Sequence, residues 1–141
     1  MLRSVLPYGM YAVQNDCIRI DDILVCGSRG WTTPESKTFT DADKKIYDRE
    51  IIRLRLSLEE MSKMRKEGDK VVAMMHFPPF NSRFERTPFT ALMSEFNVDA
   101  VVYGHLHGKN ARTKDKVTID DVDYFLTSCD QIGNIPVKIF D

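Results

Sequence analysis

The chain lacks a long apolar run, an excess of either charge and a cysteine framework. None of its 141 residues belongs to an apolar stretch approaching the roughly 18 residues of a membrane span, which argues against a transmembrane helix. Its opening, Met1-Leu2-Arg3-Ser4-Val5-Leu6-Pro7, offers neither the apolar core nor the small-residue cleavage site of a signal peptide. The cytoplasm is therefore the expected compartment. Twenty Lys and Arg balance 21 Asp and Glu to a net charge of −1, without the basic excess that general nucleic-acid or anionic-membrane binding needs. Cys17, Cys26 and Cys129 are odd in number and have no Cys-x-x-Cys spacing, so neither a disulfide framework nor a zinc ribbon is expected. The expectation is buried, reduced thiols in a reducing compartment. The length fits one domain, residues 1–141, with room for an adequate core.

Histidine is also scarce, at three residues, and all three lie where an apolar run ends. Val71-Val72-Ala73-Met74-Met75 runs into His76, followed at once by Phe77-Pro78-Pro79. Val101-Val102-Tyr103-Gly104 runs into His105-Leu106-His107-Gly108. In open α/β sheets ligands bind beyond the carboxyl ends of the strands, so this placement points to a metal site rather than to ordinary hydrogen-bonded loop histidines. In extended backbone, His105 and His107 would face one cavity while Leu106 turned back into the protein.

Taken in order, residues 11–13, 17–20 and 23–26 read as short strands, the last two joined at a turn, Asp21-Asp22. Gly27-Ser28-Arg29-Gly30-Trp31 breaks the pattern. Two readings of that loop stay open: a backbone close to a ligand with Arg29 gripping a phosphate, or a tight turn with Arg29 in solvent and Trp31 packed as an anchor. Thr40 with Asp43 is an N-cap signal, and a helix is predicted from 41 to about 66. Tyr47, Ile51, Leu54, Leu58 and Met61 form its apolar stripe, and Glu59 with Lys63 is placed to pair across one turn.

Residues 70–75 read as a buried strand delivering His76, and Thr87-Pro88 as the start of a second helix striped by Phe89, Leu92, Met93 and Phe96. Residues 98–103 read as the next buried strand, completing a parallel crossover that sets His76 and His105 at one edge. Residues 109–116 form a charged loop. Residues 117–119 and 124–128 flank Asp120-Asp121 as an antiparallel hairpin, and 135–140 reads as a final strand. Arg29, Asn81 and Arg83 are candidates for phosphate contacts.

With His76, the Gly104-His105-Leu106-His107 run, Cys26-Gly27-Ser28-Arg29-Gly30-Trp31 and Met75-His76-Phe77-Pro78-Pro79 in view, the chain resembles the C-terminal half of a calcineurin-like metallophosphoesterase of a bacterial branch. That resemblance implies an α/β fold, half of a four-layer α/β/β/α sandwich. It also implies two divalent metals, Mn, Fe or Zn, about 3.5 Å apart, which orient a phosphate ester and bring the attacking water's pKa near neutrality. Carried over by position, His76 and His105 would hold one metal and His107 the other. Each ligand should have a partner for its other ring nitrogen.

The family's first three signatures, Asp-x-His, Gly-Asp-x-x-Asp and Gly-Asn-His-(Asp/Glu), have no counterpart in these 141 residues. No histidine precedes His76, and Gly68-Asp69-Lys70-Val71-Val72 lacks the second aspartate. The expectation is a partial domain without the N-terminal metal-binding half, inactive alone, with at most partial metal occupancy and no certain catalytic residue. Three functions compete: a phosphoesterase completed by residues outside this chain, a one-ion binding module, and a structural remnant without metal. Uncovered sheet surface should also make the isolated chain self-associate.

Overall fold

Six strands form one mixed sheet in the computed structural model of the chain, which describes residues 2–109, 111 and 113–141. A hairpin of β1 (Ile18–Ile20) and β2 (Ile23–Ser28) turns at Asp21-Asp22, with Asp21 at φ 53°. Helix α1 (Asp41–Met64) leads to β3 (Lys70–Met75), and α2 (Pro88–Glu95) leads to β4 (Ala100–Tyr103). A second hairpin, β5 (Lys116–Ile119) and β6 (Val122–Leu126), completes the sheet in the order β1-β2-β3-β4-β6-β5. β2, β3, β4 and β6 run parallel, while β1 and β5 close the two edges antiparallel. The architecture is the expected α/β, and four carboxyl strand ends meet at one edge.

Local chemistry explains both helices. Thr40 and Asp43 form a reciprocal capping box, Thr40 Oγ1 accepting from the Asp43 N–H and the Asp43 carboxylate accepting from the Thr40 N–H. Trp31 Nε1 donates to the same carboxylate at 3.0 Å, tying the loop after β2 to the helix start. Thr87 and Thr90 cap α2 in the same way, with Pro88 at the first position. Tyr47, Leu54, Leu58 and Met61 are buried, as the stripe predicts; each fully buried Leu or Met contributes about 1.5–3 kcal/mol relative to exposure.

Two polar residues share that buried face. Ser57 Oγ accepts from the Gly27 N–H at 2.8 Å and donates to the Asp16 carbonyl at 2.5 Å, bridging β2 and the segment before β1. Glu50 is 1 % exposed and accepts from Arg53 at 2.8 Å.

The two faces of the sheet differ. Leu24, Cys26, Val71, Ala73, Val101, Tyr103, Tyr124 and Leu126 are buried in the helix-side core, and α1 and α2 touch one another over it. On the opposite face Val25, Val72, Met74, Val102 and Phe125 lie across neighbouring strands, all of them half-buried or exposed. The described residues thus form two layers, one of helix and one of sheet.

Several expectations are corrected. Residues 11–13 and 135–140 are not strands. In the second case Pro136 has no N–H to give to a ladder, and alternation assigns faces without supplying a neighbouring strand. Lys63 pairs with Glu60 at 2.5 Å rather than with Glu59. Cys17 and Cys26 are buried thiols, and burial pushes them up to about 11 and about 12, but Cys129 is exposed because it lies in the turn beyond β6. The loop expected over 109–116 includes positions 110 and 112, which lie outside the described residues.

Candidate metal centre

The parallel strands deliver their following residues to a common edge, and backbone hydrogen bonds lock those residues together there. The Arg29 carbonyl accepts from the N–H groups of His76 (3.1 Å) and Phe77 (2.9 Å), and the His76 carbonyl accepts from Gly104 N–H (3.2 Å). The glycine-flanked loop thus contributes its backbone to the strand end that carries His76. Gly30 holds φ 69°, a left-handed conformation that side chains rarely adopt, and a Cβ there would also press on the Met75 side-chain end at 2.7 Å.

His105 Nδ1 and His76 Nε2 face each other at 3.1 Å. Two nitrogens held at about 2.0–2.1 Å by one ion stand about 2.9 Å apart at right angles and about 3.3 Å apart in a tetrahedron. The observed spacing lies between, so this pair fits one metal ion. The pair is also braced by rings. Phe77 lies 4.1 Å from the His105 ring centroid at 35°, and Trp31 lies 5.0 Å behind Phe77. Desolvation, then the charges of His76 and His107, lower the His105 pKa, favouring the neutral imidazole that ligates metals.

His105 and His107 do not share one heading. His105 has φ 69°, and Leu106 N–H donates to the Gly104 carbonyl at 2.8 Å, so the backbone makes a γ-turn of the rare, strained hand rather than an extended run. Leu106 packs against the core as expected. His107 instead meets Asp130, its Nδ1 lying 2.7 Å from Oδ1, while Gly108 N–H donates to Oδ2 at 2.8 Å. The Gly108 amide and then His107 hold the Asp130 carboxyl at about 2, well below the usual carboxylate range. Cys129 lies in the same group, with ligand atoms of His107, Cys129 and Asp130 within 4.8 Å of one another. Neither Asp130 nor Cys129 carries a motif, and only the closure of β6 against β4 brings them to the histidines.

The phosphate-contact candidates are dispersed. The Arg29 guanidinium lies 4.5 Å over the Trp31 ring and 3.7 Å from buried Glu50. Asn81 is nearly buried and organises its own loop, accepting from the Arg83 and Glu85 N–H groups and donating to the Glu85 carboxylate. Arg83 pairs with Glu85 at 2.8 Å. Asn81 and Arg83 do line a cleft of about 610 Å³ with Trp31, Phe77, Phe84 and His105, so one histidine of the facing pair opens onto a groove.

Against known proteins, residues 4–109 match the calcineurin-like phosphoesterase family. The chain belongs to that family. Its members are hydrolases of phosphate esters that generally use divalent metals, and the matched span includes His76, His105 and His107. No curated protein and no solved structure matches the chain. Among the described residues, no helix of this calcineurin-like chain is long and apolar enough to cross a membrane.

Proposed function

We propose that this chain carries the histidine-rich part of a metal-dependent phosphoesterase site, with a dinuclear centre completed by ligands from outside these 141 residues. The observation that carries the reading is the facing pair His76 Nε2 and His105 Nδ1, 3.1 Å apart at the carboxyl edge of a parallel sheet. Imidazole suits Mn, Fe and Zn, and metals bound here supply Lewis acidity and an activated water. The chain's own residues hold and orient. His76 and His105 converge on one ion, the Phe77 and Trp31 rings keep His105 in place, and His107 serves a second position. The cleft beside His105 admits the ester, with Arg83 on its wall. A second reading, a one-ion binding module, rests on the same facing pair of histidines, which by itself is spaced for a single ion.

The test is metal retention and turnover. Equilibrium dialysis of the chain against Mn²⁺ or Zn²⁺ is expected to leave bound metal. His76→Ala and His105→Ala should each weaken that binding at least about tenfold, since losing a ligand costs no less than losing the group that orients it. Unchanged affinity in both variants would sink the reading. So would hydrolysis of a generic aryl phosphate by the metal-loaded chain at a rate that His105→Ala leaves intact. One retained ion without turnover, even when the missing ligands are supplied by a complementing polypeptide, favours the binding module.

A further inference from the structure

We infer that Asp130 is the positioning residue for His107, its carboxylate fixing the tautomer and heading of the imidazole so that Nε2 is the nitrogen offered to a divalent cation. The cation's role rests on the phosphoesterase reading, whereas the positioning stands on contacts within the chain. Asp130 lies beyond the 4–109 span that matches the family and has no motif around it.

His107 needs such a partner. It follows the strained turn at His105, is exposed, and belongs to no helix or strand that would restrict it. Holding a free imidazole in one rotamer costs side-chain entropy, and a ligand restrained beforehand has already met that cost. Asp130 restrains it at two points, taking the ring through Oδ1 and the next backbone amide through Oδ2. Gln131 adds a third link, its Nε2 donating to the Gly108 carbonyl at 3.1 Å and to Asp130 Oδ2 at 3.2 Å.

Asp130 is itself fixed. The turn carrying it is closed by the N–H groups of Gln131 and Ile132 on the Ser128 carbonyl and of Asn134 on the Cys129 carbonyl. It follows directly on Thr127, whose N–H donates to Tyr103 at the end of β4.

The chemistry then assigns the proton. An ionised carboxylate only accepts, so the proton between the two groups belongs to His107 Nδ1, and the lone pair is on Nε2. Metal-bound histidines commonly give their second N–H to a carboxylate in this way. The competing arrangement makes Asp130 and Cys129 ligands beside His107. It is disfavoured because both Asp130 oxygens already accept hydrogen bonds, from His107, Gly108 and Gln131, that direct ligation would break.

Two measurements test this. In the metal-free chain at about pH 8, where imidazole is neutral, long-range ¹H–¹⁵N correlation reads the tautomer of each histidine. His107 is expected as the Nδ1–H form, and Asp130→Ala should return it to the Nε2–H form that free imidazole side chains favour. Asp130→Asn, which keeps one acceptor oxygen and nearly the same shape, should give an intermediate population.

Zinc titration of the same proteins should show affinity falling about 10- to 100-fold in Asp130→Ala, less in Asp130→Asn, and not in Cys129→Ser. Nε2–H in the unaltered chain, or a tautomer indifferent to Asp130→Ala, overturns the inference. A Cys129→Ser loss as large as that of Asp130→Ala overturns it too, in favour of direct ligation. If the tautomer responds while His76→Ala, His105→Ala and His107→Ala all leave zinc binding unchanged, the positioning stands and the phosphoesterase reading falls.

Discussion

Asp69 shows how much one side chain outside the site can do. Arg19 grips its carboxylate through both guanidinium nitrogens, at 2.8 and 2.7 Å, and also donates to the Met64 carbonyl at the end of α1. The Arg19 hydrogen bonds, followed by the Lys66 amide, hold the Asp69 pKa at about 2. A carboxylate depressed in the folded state stabilises the fold above its unfolded pKa of about 3.9, and the contribution is lost as pH falls from there through the folded value. Melting temperature should therefore decline between about pH 4 and pH 2. Asp69→Asn is expected to flatten that part of the acid limb while lowering stability near neutrality, and thermal melts across that window would show it. At this scale the sequence made the placement of His76 and His105 at strand ends legible, because each closes a buried apolar run. Asp130 was illegible: a lone aspartate in a polar turn looks like any solvated carboxylate until the sheet brings it to within 2.7 Å of His107.

At the scale of elements, the placement of β2 against β3 depends on one glycine. Gly27 has φ 139°, and a Cβ there would lie 2.0 Å from the Met74 carbonyl oxygen of β3. Its N–H turns to Ser57 of α1 instead of solvent. Gly27→Ala must shift the backbone of β2 or β3, at an expected cost of about 2–4 kcal/mol, read by urea denaturation. The two strands carry Arg29 and His76, so the same variant should weaken metal binding without altering any ligand.

Helix α1 was legible because its signals agree, with a capping box at one end, Gly68 beyond the other and an apolar stripe between. Residues 135–140 misled because Ile135, Val137 and Ile139 alternate like a strand. Hydrogen-bonding reach to a neighbour is a tertiary property that alternation does not encode.

For the whole molecule, the decisive feature is the asymmetry of the sheet. One face is sealed by α1 and α2, while the other leaves Met74 43 % exposed and Ile20 49 % exposed among half-buried Val25, Val72, Val102 and Phe125. Contiguous apolar surface of this kind associates in water. We expect the chain to form dimers or larger species at micromolar concentration. Met74→Lys, which places a charge in the middle of that face, should shift sedimentation toward monomer. A monodisperse monomer with a cooperative melt would refute the expectation.

By itself the sequence determined both helices and the strands between 18 and 126, the strand ends at which histidines appear and the motifs that resemble the family's. The elements follow from local periodicity and short spacings along the chain, and the family from the resemblance of the histidine motifs to known ones. Only the tertiary structure decided that His105 turns back toward His76 while His107 turns to Asp130. A left-handed residue between Gly104 and Leu106 is stable only when the surrounding strand ends hold it, and a contact across 23 residues exists only once β6 has paired with β4.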